Sequence, residues 1–319
     1  MSTTPAMNQD ALTPSYKTAV SGAAHGYLSA VEVHDRPSQQ SASLERGDSK
    51  AKAEGPIHII SLGAGVQSSV MALMAAHGEL TPAPVACVFA DTGDEPDAVY
   101  EWIKFLEPRL PFPIVRADNG QSLSAHIFDA VANGTRVSKP PLFTVPDKQG
   151  ESEGLLTRDC TKDFKVAVIQ RAVRKLMTAA NVKKVVQWIG ISLDETIRMK
   201  PSRVNYSQHR WPLIEKRMSR NDCLLWMKRM GYPEPPRSAC VYCPHHSNHE
   251  WRRLRDTDPK GWARAVEFDA KVRSGIHGVR AKCFVHRDCV PLPDVDLSTD
   301  SERGQGLLWG NECEGMCGV

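Results

Sequence analysis

The feature that most constrains this chain is a short β-branched run that stops at a glycine-rich loop and restarts as a helix. Ile57-His58-Ile59-Ile60-Ser61 reads as a strand. Gly63 ends it, and Gln67 to His77 reads as a helix with Val70, Leu73 and Met74 on one face. The same alternation then repeats. Val85 to Ala90 is a second apolar run, and Pro96 to Leu106 is a second helix, for which Asp94 is the expected N-cap with Pro96 in the first turn. Phe112 to Val115 reads as a strand, Lys165 to Met177 as a helix and Val185 to Ile191 as a strand. Such alternation predicts an α/β fold with a doubly wound, mostly parallel sheet.

From Trp211 the pattern changes. Ser219 caps a helix running to Met230, with Gly231 ending it. Cys240 to Pro244 is a tight cysteine turn, and Asn248 to Arg273 is amphipathic with an interruption at Pro259. The expected organisation is a disordered arm over 1–55, with at most a short helix around Ala19–Val33. A nucleotide-binding domain follows over 56–215, then a helical, cysteine-containing region over 216–290 and a flexible cysteine-containing tail over 291–319. An apolar fraction of 41% and a charged fraction of 24% exclude a wholly disordered or collagen-like chain. No apolar run approaches the ~20 residues that span a bilayer, and Met1–Asp10 lacks a basic segment followed by an apolar one. The expectation is a cytoplasmic, reducing compartment without a membrane partner. Nine cysteines then read as metal-binding, catalytic or buried rather than as a disulfide framework.

The loop Ser61-Leu62-Gly63-Ala64-Gly65-Val66-Gln67-Ser68-Ser69 has the chemistry of an anion site. Small residues admit a phosphate to the backbone, the helix start offers unpaired N–H groups, and Ser61, Ser68 and Ser69 add hydroxyls. It is not a Walker loop, since no Gly-Lys-Ser/Thr follows. It is a poor dinucleotide fingerprint, since Ser68 takes the third glycine position. Alone, the loop reads equally as a site or as a tight turn.

Asp91-Thr92-Gly93 ends the second strand, followed by Glu95-Pro96 and Tyr100. With the Ser61–Ser69 loop, this resembles the PP-loop nucleotide-binding superfamily, specifically its phosphoadenylyl-sulfate (PAPS) reductase branch. The fold implied is adenine nucleotide alpha hydrolase-like. ATP-pyrophosphatases of the superfamily carry Ser-Gly-Gly-x-Asp-Ser in the loop. Gln67 stands in place of that Asp and looks like the sulfonucleotide reductase branch. Cys160 and Lys165 match two positions of the Cys-Cys-x-x-Arg-Lys motif of iron–sulfur reductases, with Thr161 and Phe164 departing from it. Trp188-Ile189-Gly190 through Glu195 and Arg198 looks like the Gly-x-Arg-x-x-Glu strand end, without its first Arg. Pro212-Leu213 looks like the Asn-Pro-Leu turn, so the similarity spans about residues 57–245. The resemblance implies an adenine nucleotide held by Ser61, Gly63, Ala64, Gly65, Gln67, Ser68, Ser69, Asp91, Thr92, Gly93 and Gly190.

Cys240-Val241-Tyr242-Cys243 presents two thiols from one turn. In iron–sulfur members of the family that pair joins the Cys-Cys pair on a 4Fe–4S cluster. Here Cys160, Cys240 and Cys243 would leave one iron open, as in three-cysteine sulfur-transfer enzymes. Zn²⁺ on Cys240, Cys243 and two of His245, His246 and His249 is the second reading, and a dithiol or metal-free turn the third. Glu312-Cys313 looks like the family's Glu-Cys-Gly tail, whose cysteine is the nucleophile. Cys313 and Cys317 are therefore candidate catalytic thiols, or else spare thiols of a tail. Cys87 and Cys223 read as core residues, while Cys283 and Cys289 stay ambiguous.

The net charge of +3 hides an asymmetry, because residues 151–290 hold 28 Lys+Arg against 15 Asp+Glu. Lys165, Arg198, Arg203 and Arg210 are the candidate anion-binding cations, within a basic stretch that includes Lys200, Lys216, Arg217 and Arg220. Three functions compete. Sulfonucleotide reduction with a thioredoxin-like reductant is favoured by Gln67 and Glu312-Cys313. ATP- and Mg²⁺-dependent sulfur insertion into a nucleic acid or small molecule, using a sulfur donor, is favoured by Thr161 and the basic half. A zinc-containing nucleic-acid-binding protein without catalysis is the third. The oligomeric state is not legible.

Overall fold

The computed structural model describes residues 55–146, 154–279 and 281–299. The expected arm, its helix around Ala19–Val33, and Cys313 and Cys317 lie outside the described residues.

Strand β1 (Ile57–Ser61) leads into helix α1 (Val66–Ala76), β2 (Ala86–Ala90) into α2 (Asp97–Leu106), and β3 (Ile114–Ala117) into α3 (Leu123–Asn133). Then come β4 (Phe143–Pro146), β5 (Gly154–Leu155) and one helical turn, α4 (Asp159–Thr161). A five-residue π-helical segment, Lys162–Val166, runs into α5 (Ala167–Ala179). After β6 (Val185–Ile189) and β7 (Ser207–Arg210) come α6 (Pro212–Glu215), α7 (Arg220–Arg229), α8 (Asn248–Thr257) and α9 (Pro259–Val272). Strand β8 (Ala281–Phe284) is the last.

The main sheet has the order β3-β2-β1-β6-β7, and every pairing in it is parallel. This is the doubly wound architecture expected from the alternation. Its central strands are buried on both faces, as parallel strands with helices above and below must be. On one side Val70, Leu73, Ile103, Trp188 and Trp226 form a core; on the other Ile57, Ile59, Val88, Val173 and Leu176 form another.

The strand order reverses between β1 and β6. From β1 the chain goes on to β2 on one side and from β6 to β7 on the other, and the carboxyl ends at such a point of reversal are where ligands bind in open α/β sheets.

The second body is built on a third core. Leu123, Ile127, Leu142 and Phe164 pack with Val241, Tyr242, Trp251, Phe268 and Cys283. It is helical as expected, but it also contains a three-stranded antiparallel sheet, β5-β4-β8, and it draws residues from both sides of position 215. Asp269 holds it together. This fully buried carboxylate accepts from the Val285 N–H and the Leu292 N–H, each at 3.1 Å, and pairs with Arg273.

Two local expectations change. Asp94 does not cap α2; Pro96 is the N-cap, and the Asp94 carboxylate is drawn into the second body instead. Helix α3 and strands β4, β5, β7 and β8 had no place in the sequence reading. Strand β7 is Ser-Gln-His-Arg, an edge strand that exists because β6 templates it.

Asp269→Ala should cost about 3–5 kcal/mol, because two backbone N–H groups and the Arg273 charge lose a buried partner. Urea unfolding monitored by tryptophan fluorescence checks this; a loss below about 1 kcal/mol would contradict it.

Candidate functional site

The loop at the end of β1 is pinned from within. Leu62 N–H donates to Val88 O at 2.9 Å, tying the loop's first residue to β2. Gly63 N–H donates to Ser68 Oγ at 3.1 Å, and the Ser68 hydroxyl donates to Gly65 O at 3.3 Å. Ala64 is fully buried with φ of 60°, a left-handed conformation that costs a non-glycine residue on the order of 1 kcal/mol. Gly65 is the N-cap of α1, without a side-chain cap and without an acidic residue in the first turn. The positive end of α1 is thus held open towards the crevice.

Gly190, just after β6, closes the other wall. A Cβ there would lie 2.9 Å from Ser68 N and 3.0 Å from Ser68 Cα, so only glycine permits this approach. Ser192, fully buried, accepts from Gln67 Nε2 at 3.4 Å, and Arg220 Nη1 donates to Gln67 Oε1 at 3.3 Å. Burial works to raise the Asp194 carboxyl. Hydrogen bonds from Ser192 and from the Arg220 N–H outweigh burial and hold it below the usual carboxylate range.

The loop after β2 forms the adjoining wall. Asp91 Oδ1 accepts from Gly93 N–H at 2.8 Å and from the Tyr100 hydroxyl at 2.9 Å. Burial, then the Asp91 charge, pushes the Tyr100 phenol well up, so it stays a proton donor. Gly93 has φ of 73°, and a Cβ there would sit 2.6 Å from Ser122 Cβ. Asp91-Thr92-Gly93 thus supplies a carboxylate, a buried hydroxyl and a conformationally required glycine.

Asp94 joins that loop to the second body. Its carboxylate, 2% exposed, accepts from Ser124 N–H at 2.7 Å, Ser124 Oγ at 2.8 Å, Tyr242 Oη at 2.7 Å and Arg264 Nη2 at 2.9 Å. Arg264 also donates to Gly93 O at 3.1 Å, and Val241 N–H donates to Asp94 O at 2.9 Å. The cysteine turn is thereby locked onto the Asp91–Glu95 loop. Tyr242 is held further by stacking on Phe268, with ring centroids 3.6 Å apart.

Of the other candidates, Lys165 lies 3.4 Å from the fully buried Glu95 carboxylate, which also accepts from Thr92 at 3.5 Å and from Ser238 at 3.4 Å. Ser61 Oγ accepts from Gln187 Nε2 at 2.6 Å, and Ser69 Oγ accepts from Trp102 Nε1 at 2.8 Å within the core. Arg198 pairs with Glu195, and Arg203 is exposed between β6 and β7. Arg210 pairs with Glu215 at 2.7 Å, donates to Thr81 O at 2.7 Å, and lies over the Trp188 ring.

Cys160, Cys240 and Cys243 all touch the third core. The Cys240 Sγ lies 3.3 Å from Thr92 Oγ1, and Cys243 N–H donates to Cys240 O at 2.9 Å. Burial raises the thiols of Cys160 and Cys240; the Glu95 charge adds to the effect at Cys240, while Lys165 opposes it at both. Among the described residues, no group of three or more His, Cys, Asp or Glu side chains is placed to hold a metal ion. Cys87 and Cys223 are core residues, as expected; burial pushes Cys223 up to about 12. Cys283 is buried too, and burial pushes it up to about 11.

Ser192, Gln187, Arg220, Tyr242 and Arg264 were not among the expected site residues. Tyr242 sat unread inside the Cys-x-x-Cys turn, and Arg220 was one of many cations. Nothing in sequence marks Arg264, which acts across 170 residues.

No family model matches the chain, and no curated protein matches it. Among solved structures it is similar to the crystal structure of phosphoadenylyl-sulfate (PAPS) reductase from Candida auris in its phosphate complex. The match has 16% identity, covers 58% of this chain and 78% of that one, and has a TM-score of 0.38. No described helix is long and apolar enough to cross a membrane.

Gly190→Ala should push the loop off β6 and lower stability by about 1–3 kcal/mol. Thermal unfolding checks this; an unchanged midpoint would contradict it. Tyr242→Phe should cost about 1–3 kcal/mol by leaving Asp94 a donor short. A denaturation midpoint equal to the wild type would contradict that.

Proposed function

We propose that this chain is a PAPS reductase-like PP-loop enzyme that binds an adenylyl nucleotide at the β1/β6 crevice and reduces its sulfonyl group. The observation that carries the reading is the Gly190–Ser68 contact at the point where strand order reverses. It holds an acid-free loop and the open N-terminus of α1 in a fixed crevice. The Asp91-Thr92-Gly93 loop beside it and Gln67 in the first turn supply the motif evidence.

The residues divide the work. Amides of Gly65 to Gln67 at the start of α1 face the 5′-phosphate, while the Gly63 N–H and the Ser68 hydroxyl brace the loop from within. Lys165, oriented by Glu95, adds a cation for the departing anion. Cys240 is unsuited to attack, since burial and Glu95 keep its sulfur protonated. The attacking thiol in this reading is Cys313. Its thiolate bonds to the sulfonyl sulfur, the sulfur–oxygen bond to the nucleotide phosphate breaks, and the nucleotide leaves with that electron pair. A second thiol, Cys317 or one on a thioredoxin-like reductant, then displaces sulfite and forms a disulfide, which the reductant returns to thiols. Sulfur is reduced by two electrons and two thiols are oxidised.

The test is sulfite release from adenosine 5′-phosphosulfate and its 3′-phosphorylated form by anaerobically purified full-length protein with a dithiol reductant. Pyrophosphate release from Mg–ATP is measured in parallel. The expected outcome is sulfite without pyrophosphate, with Cys313→Ser reducing sulfite at least about a thousandfold while nucleotide binding persists. Pyrophosphate without sulfite would overturn reduction in favour of an adenylating reaction.

A further inference from the structure

Asp269 fixes three chain segments relative to one another. Its carboxylate pairs with Arg273 at the end of α9, and accepts from the Val285 N–H just after β8 and the Leu292 N–H further on, each at 3.1 Å. Residues of these three segments line a cavity of about 530 Å³, within the ~300–1,000 Å³ usual for small-molecule sites. Arg273 and Ser274 form the α9 wall. Lys282 and Phe284, two apart on β8, share one face of that strand and form the second wall, while Cys283 between them is buried in the third core. Cys283 N–H donates to Arg273 O at 3.2 Å and ties these two walls together. Cys289, Val290 and Pro291 close the third side, where Cys289 N–H donates to His286 O at 3.1 Å. None of these residues belongs to the loops around Ser68, Asp91 or Gly190.

The lining is cationic on one part and apolar on another. No lining residue is acidic. Asp269 answers the charge of Arg273, but the exposed Lys282 makes no ion pair among the described residues, so one positive charge is left uncompensated. Donors are left over as well. Arg273 Nη2 is engaged by Asp269, whereas Nη1 and the buried Nε have no partner among the described residues. A buried N–H without a partner is rare in a folded protein, and an oxygen arriving in the cavity would supply one. The guanidinium fork matches the two oxygens of a carboxylate. Beside it stands the Phe284 ring, its centroid 6.0 Å from Arg273 Cζ, with Val290 and Pro291 adding apolar surface. A bare inorganic anion would leave that surface wet, and a dianion would exceed the one free charge.

We propose that this cavity is a second ligand site, for an organic monocarboxylate with an apolar body. Arg273 and Lys282 take the carboxylate, and Phe284, Val290 and Pro291 take the body. Because Asp269 holds all three walls, the site is formed before the ligand arrives. It stands independently of the nucleotide reading of the β1/β6 crevice.

Titration of isotope-labelled full-length protein with 2-naphthoate, followed by amide chemical shifts, tests it. The matching alcohol, 2-naphthalenemethanol, serves as the neutral analogue and inorganic phosphate as the bare anion. Saturable shifts should centre on Ala270, Ser274, Lys282 and Cys289 with a Kd on the order of 0.1–1 mM, and the thermal midpoint should rise with added naphthoate. The alcohol and phosphate should each bind at least about fivefold more weakly. Lys282→Gln removes the unpaired charge and should weaken naphthoate at least about fivefold. Ala270→Trp fills the cavity, leaves both cations in place and should abolish the shifts. Both substitutions are at exposed positions, and either carries the test should the other not fold. No saturable change at these amides, or an affinity for naphthoate unaltered by the substitutions, would overturn the site. Equal binding of the alcohol would overturn the role of the two cations, and equal binding of phosphate the choice of a carboxylate with an apolar body.

Discussion

Everything in the crevice depends on one close approach, the backbone of Gly190 against the backbone of Ser68. Two strands with opposite onward connections are brought side by side, and the chain leaving β6 touches the first turn of α1 with nothing between them. Because glycine has no Cβ, that wall needs no side chain and the α1 N-terminus remains open. The same contact sets the position of Ser192, and through it Gln67 and Arg220. A backbone contact at the sheet's point of reversal thus sets the charge layout of the site.

The second constraint is the buried Asp94 carboxylate. Four donors from three separate segments converge on it, which compensates the desolvation of its charge. Its position follows from the chain: it ends the β2 loop, so whatever binds it is fixed relative to Asp91-Thr92-Gly93. The cysteine turn and α9 are fixed in this way. Cys240 is held against Thr92 by that docking and is raised by the burial the docking causes. The two bodies meet at the loops on which the functional reading rests.

Local sequence made part of this legible. The main-sheet strands with apolar runs, the helix cap at Ser219 and the break at Pro259 are stated by adjacent residues, and the structure has them. Strands β4, β5, β7 and β8 were illegible because each is short and is carried by a partner far along the chain; Phe143, for instance, pairs with Phe284. Asp94 was misread for a related reason. Its position before Pro96 suits a helix cap, but Ser124, Tyr242 and Arg264 together outcompete the one or two amides a cap could offer. The loop residues were found because glycine and small residues at a strand end have few other uses. Arg220 was visible only as one of many cations, since its contact with Gln67 is made by folding across 153 residues.

The central claim is that the crevice between β1 and β6 holds an adenine nucleotide. Amide chemical shifts of isotope-labelled protein titrated with AMP test it most directly. The account predicts that the largest changes fall on Gly63 to Ser69, Asp91 to Gly93 and Gly190 to Ser192, saturating together. Saturable changes confined to other residues, with the Gly63–Ser69 and Gly190 amides unmoved, would contradict it.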